Sequence, residues 1–130
     1  MITDAMQDYL YTILKLEGER EEVRSIDIAN VLKFSRASVH NMLQQLEAEG
    51  LIRITPRKKI CLTDSGRDVA RSYNDRILFL SKMLMDAGVA PEEAQTEAKG
   101  MGRCLSETSF HALRQSHENS GSQDSSGSDS

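Results

Sequence analysis

The chain has no tryptophan, two cysteines, two prolines, three tyrosines and three phenylalanines in 130 residues. Each shortage excludes something. Cys61 and Cys104 stand in unlike contexts, so a disulfide framework is excluded and a reducing cytosol is the expected compartment. No apolar run approaches the roughly 18 residues that a membrane span requires. No charged-then-apolar leader opens the chain. The expectation is a cytoplasmic protein with no membrane partner. His40, His111 and His117 lie in unrelated surroundings, and there is no Ser-His-Asp set, phosphate loop or paired-histidine motif. Enzyme chemistry therefore has no support, and a non-enzyme is expected.

The last stretch also lacks something. Residues 116–130, SHENSGSQDSSGSDS, hold no side chain able to build a core, and they read as a disordered polar tail. The remaining body of about 115 residues suffices for one core. Net charge is −4, and Glu118, Asp124 and Asp129 supply three of those charges. Distribution says more than the total. Residues 1–32 hold seven acids and three bases, whereas residues 33–82 hold ten bases and five acids. Positive charge is concentrated in the middle of the chain, as a nucleic-acid-reading module requires.

What is present is helical periodicity. Thr3 or Asp4 caps a first helix to about Gly18, with Met6, Leu10, Ile13 and Leu14 at helical spacing. Glu19–Arg24 reads as a solvated connector. Ser25 caps a second helix with Ile26, Ile28, Ala29 and Leu32 inward, and Phe34 is expected to plug the core at the turn that follows. Ser35 begins a third helix whose buried stripe is Val39, Met42, Leu43 and Leu46. Gly50 ends it. Leu51–Ile54 and Lys59–Leu62 are short strands joined by Thr55-Pro56-Arg57-Lys58. Thr63 caps a long helix to about Ala87. Its segment Ile77–Met85 is apolar on more than one face, so a second copy of the chain is the simplest cover. Pro91 opens another helix toward Cys104, and Ser106 caps a short last one with Phe110 and Leu113.

That order is the outline of a winged helix-turn-helix. The fold expected is mainly α: a winged-helix domain with a two-stranded wing over 1–66, a linking helix and helical dimerisation element over 67–115, and the tail over 116–130. The third helix presents Arg36, Ala37, Ser38, His40, Asn41, Gln44 and Gln45 outward. Asn and Gln pair bidentately with adenine, and Arg pairs with guanine. The hydroxyls of Ser35 and Ser38, with the helix N-terminus, suit phosphate. Arg57, Lys58 and Lys59, with Arg53 behind them, give four cations within seven residues and no acid, which suits a backbone or minor-groove clamp. The competing reading is a winged-helix protein-interaction module that no longer binds DNA.

The residues AMQDYLYTILKLEGE, then IAxxLxxSxxSVxxMLxxLExEGLI, then LTxxGRxxA resemble the diphtheria-toxin-repressor and manganese-transport-regulator family of bacterial metalloregulators. The likeness covers roughly residues 4–115. It implies a homodimeric transcriptional repressor that binds a palindromic double-stranded DNA operator when loaded with Mn(II) or Fe(II). The dimer would form through the helices around 77–113. The resemblance also implies where metal ligands should stand: at Asp8, in some members at Tyr11, at Asp75 where a histidine is usual, and at Lys99, Gly102 and Arg103. The last three are not ligands, and Lys99 and Arg103 are cations. Asp8 and Asp75 remain as oxygen donors, and Cys104 is a weaker third. Lys99 and Arg103 are candidate cations to replace the regulatory ion; the alternatives are a degenerate site of exposed charges and a rearranged site that still binds metal.

Overall fold

The structure, a computed structural model, describes residues 2–128. Its elements are α1 (Asp4–Glu17), α2 (Ser25–Leu32), α3 (Arg36–Ala48), β1 (Ile52–Ile54), β2 (Ile60–Leu62), α4 (Asp64–Asp86), α5 (Pro91–Cys104) and α6 (Glu107–Ser128). The two strands pair antiparallel, Ile52 opposite Leu62 and Ile54 opposite Ile60. The expected mainly helical fold with a two-stranded wing is the one observed. Among the described residues no helix is long and apolar enough to cross a membrane.

The chain forms two compact units, Met1–Asn74 and Asp75–Ser130. The division between these units falls inside α4. The reason is that the first turns of α4 belong to the first core. Ala70 is fully buried there, and Val69 packs against it. Arg67 grips Glu17 at 2.9 and 3.4 Å, and the Tyr73 ring meets Tyr11 edge-on at 5.7 Å. The rest of this core includes Leu10, Ile13 and Leu16 from α1, Val23 from the connector, Ile28 from α2, Val39, Leu43 and Leu46 from α3, and Ile52 and Ile60 from the wing.

Local signals explain most element ends. The Thr3 hydroxyl accepts the Met6 amide at 3.2 Å, and Ser35 accepts the Ser38 amide at 3.1 Å. Ser25 does not cap α2. Arg24 holds that position, because the Asp27 carboxylate reaches back to the Arg24 amide at 2.9 Å. Ile26 is more than a third exposed, so only Ile28 and Ala29 of the expected inward set are fully buried, with Leu32 partly so. Phe34 is 51% exposed and does not plug the core. Left-handed Lys33, at φ +61°, turns the chain so that the Phe34 ring lies stacked against Tyr9, centroids 6.2 Å apart.

In the second unit, Arg76 donates to the carbonyls of Gly102 and Leu105 at 2.9 and 2.6 Å, closing the C-terminal end of α5. Its guanidinium also lies 5.0 Å from the Phe110 ring centroid. Phe79 meets Phe110 edge-on at 5.6 Å and His117 at the same distance. The latter contact, with Arg114 reaching Glu118 at 3.7 Å, carries α6 past the short helix expected. The helix runs on to Ser128 through residues read as tail, while Asp129 and Ser130 lie outside the described residues.

Candidate nucleic-acid interface

The interface is built on α3. Val39, Leu43 and Leu46 face the core at i, i+4 and i+7. The opposite stripe is Ala37, Asn41, Gln44 and Ala48, all exposed. The small alanines let the helix backbone approach a groove floor, while the two amides between them offer both donors and acceptors to base edges. Arg36 and His40 stand on one flank and Ser38 and Gln45 on the other, all exposed. Every outward residue expected on α3 is therefore solvent-accessible.

At the N-terminus of α3 the Ser35 hydroxyl donates to Ser38 Oγ at 3.0 Å and accepts the Ser38 amide. It is committed to the cap, which leaves the amides of Arg36 and Ala37 as the helix-end donors suited to phosphate. An open groove of about 390 Å³ separates α3 from α1, lined by Ala5, Tyr9, Phe34, Ser38, Asn41, Met42 and Gln45. Desolvation pushes the Tyr9 hydroxyl above its ordinary value of 10.0, so the ring beneath this groove stays neutral.

The wing adds cations. Its turn closes through the Lys58 amide on the Thr55 carbonyl at 2.8 Å and the Thr55 amide on the Lys59 carbonyl at 2.9 Å. The Lys59 amide is also held by Thr55 Oγ1 at 3.0 Å. Lys58 is left-handed at φ +70°, as the residue after a type I turn in a three-residue hairpin loop tends to be. Arg53, Arg57 and Lys58 are exposed and Lys59 is half-buried. Two contacts that sequence reasoning missed fix the wing. Glu47 Oε2, on α3, accepts the Ile54 amide at 2.9 Å, and Arg24 donates to the Arg57 carbonyl at 2.7 Å. The Arg24–Asp27 spacing signals a cap, but no local pattern signals a bond 33 residues away.

The metal-ligand positions behave differently. Asp8 Oδ1 accepts the Tyr73 hydroxyl at 3.1 Å. Asp75 projects from α4 about 200° away from Tyr73, so the face that brings Tyr73 to Asp8 does not carry Asp75. One turn beyond Tyr73 on that same face stands Ile77, buried and without a donor atom. Asp75 instead lines a shallow depression with Leu78, Phe79, Lys82 and Arg114. Lys99 and Arg103 are half-buried on α5, and Cys104 is an exposed free thiol at its end. Among the described residues, no three of His, Cys, Asp or Glu come together where they could hold a metal ion. These donors do not fit a manganese or iron centre, which needs several converging N, O or S ligands.

Comparison with known proteins gives a consistent picture. Residues 1–60 match the family model of the iron-dependent repressor N-terminal DNA-binding domain. The transcriptional regulator MntR of Escherichia coli is 33% identical over 111 residues, covering 85% of this chain and 72% of that protein. The HTH-type transcriptional regulator MntR of Bacillus subtilis is 28% identical over 113 residues, covering 87% and 80%. Among solved structures, the manganese regulator SloR superposes with a TM-score of 0.77 at 23% identity, covering 87% of this chain and 53% of that one. IdeR of T. acidophilum gives 0.73 at 24% identity, covering 86% and 53%. These two share the fold, and the chain spans about half their length.

Proposed function

Since this chain belongs to the MntR family of transcriptional regulators, we propose that it binds a double-stranded DNA operator as a homodimer and represses transcription without a divalent metal ion. The observation that carries the DNA reading is the exposed stripe of Ala37, Asn41 and Gln44, set opposite the buried stripe of α3 and followed by a cationic wing. The stripe would lie in the major groove, and Arg57 and Lys58 would hold the flanking backbone.

Self-association has its own support. Leu78 and Met85 are 56% and 42% exposed and stand seven residues apart on one side of α4, and Met101 and Leu113 are also exposed. A two-fold partner would cover such a row, and a two-fold protein implies a palindromic site.

Metal independence is supported by the donor set. Asp8 is engaged by Tyr73, and no third ligand of suitable type joins it among the described residues. The experiment is selection from a random duplex pool, followed by affinity measurement on the enriched sequence with chelator and with added Mn(II). An enriched palindrome bound equally in both conditions is the expected result. A strict need for Mn(II) or Fe(II) would overturn metal independence alone. Failure to enrich any duplex, with no salt-dependent binding, would overturn the DNA reading.

A further inference from the structure

The connector between α1 and α2 is more ordered than its composition suggests. Val23 is 2% exposed, and its carbonyl accepts the Ile60 amide at 2.8 Å, so the connector lies alongside β2. Arg24 follows, fixed at both ends. Its amide donates to Asp27 Oδ2 at 2.9 Å, and Asp27 Oδ1 is held in turn by Arg20 at 2.6 Å. Its guanidinium donates to the Arg57 carbonyl at 2.7 Å and to Glu22 at 3.0 Å. The carbonyl so held belongs to the peptide that enters Lys58. That lysine holds the left-handed conformation, φ +70°, that the three-residue loop requires, and the Arg24 bond secures the peptide leading into it.

We propose that Arg24 is a positioning residue for the wing: its guanidinium fixes the Arg57–Lys58 peptide and so presents both cations to the DNA backbone already ordered. Two of the five Arg24 guanidinium donors are taken by the Arg57 carbonyl and Glu22, so in this proposal the residue acts through the wing and not by a phosphate contact of its own. Ordering the wing before binding removes an entropic cost that a loose hairpin would meet on contact. The effect on affinity rests on the DNA-binding reading above, whereas the effect on wing order does not.

The test compares Arg24→Ala, Arg24→Lys and Lys58→Ala in the full chain. Arg24→Ala keeps the backbone amide that Asp27 caps, so far-UV circular dichroism should be unchanged. In the free protein, the Lys58 and Lys59 amides should exchange with solvent about 10-fold faster, because the turn opens more often. Affinity for the selected duplex should fall about 5-fold, with the slope of log affinity against log salt unaltered. Lys58→Ala should lower that slope by about 0.9, as loss of one phosphate contact does. Arg24→Lys, which keeps one cationic donor for the carbonyl, should recover part of both effects. A slope reduced by about 0.9 in Arg24→Ala would make Arg24 a phosphate contact and overturn the proposal. Unchanged amide exchange would overturn it too. If the wild-type chain binds no duplex, the DNA reading falls, and amide exchange still decides whether Arg24 orders the wing.

Discussion

A Cβ at Gly66 would stand 1.9 Å from the carbonyl oxygen of Leu51. The first turn of α4 therefore rests directly on the backbone that enters the wing. The same oxygen accepts the Thr63 amide at 3.1 Å, and Thr63 Oγ1 donates to Gly50 at 2.6 Å. Because the obstacle is backbone, it cannot swing aside. Gly66→Ala should destabilise the protein by about 3 kcal/mol, at the upper end of overpacking costs. Gly50→Ala, where φ is +75° but nothing lies within 4 Å, should cost about 1 kcal/mol. Urea unfolding of the two variants checks the order.

Asn41 and Gln44 occupy the centre of the exposed stripe of α3. Replacing either by Ala should reduce discrimination at one or two base pairs by about 1–3 kcal/mol, with little change in non-specific affinity. Binding to a panel of singly substituted duplexes would reveal it. A uniform loss across the panel would instead mark a backbone contact.

Glu47 ties α3 to the wing through the Ile54 amide. Glu47→Gln retains an acceptor and should leave stability nearly unchanged. Glu47→Ala leaves that amide to water and should cost about 1 kcal/mol. Denaturant midpoints for both variants measure the difference.

The Tyr9 hydroxyl is held above 10.0 by desolvation. Its folded value is raised, so the associated stability is present below pH 10 and lost as pH rises through the folded value. Urea unfolding between about pH 8 and about pH 11 should show a smaller alkaline loss for Tyr9→Phe than for the wild type. Equal losses would place the alkaline sensitivity elsewhere.

Leu78 and Met85 are exposed on one side of α4, with the Lys82–Asp86 pair beside them. Leu78→Asp with Met85→Asp should shift the chain to monomer in sedimentation velocity, with helix content retained and operator affinity reduced. A wild-type chain that sediments as a monomer at operator-binding concentrations would contradict the dimer.

Much of this was legible in the sequence because the physics is local. Periodicity placed the core stripe of α3, and Ser35 and Gly50 marked its ends. The residues that misled are those whose environment is set at long range. Phe34 looks like a core residue, yet left-handed Lys33 leaves it at the surface against Tyr9. Ser25 is a local exception: it has the chemistry of a cap, yet Asp27 closes on Arg24, three residues before it. Tyr73 and Arg67 read as part of a separate linking helix, and only their contacts with Asp8, Tyr11 and Glu17 assign them to the first unit. The metal positions show the same division. The loss of ligands at Lys99, Gly102 and Arg103 is visible in the sequence, and so is the angle between Asp75 and Tyr73 on the expected helix, but the bond from Tyr73 to Asp8 is not.

The connector from Glu19 to Arg24 is exposed and polar apart from Val23, the kind of surface segment that usually accepts insertions and deletions. Here its length is a geometric parameter. Val23 is in register with Ile60, and Arg24 reaches the hairpin from a fixed distance along the chain. One residue added or removed upstream of Val23 would leave the base-facing side chains of α3 in place while shifting the support beneath the wing cations. Drift in connector length between related chains would thus act as a dial on wing placement, altering how firmly a regulator grips its site without changing which bases it reads.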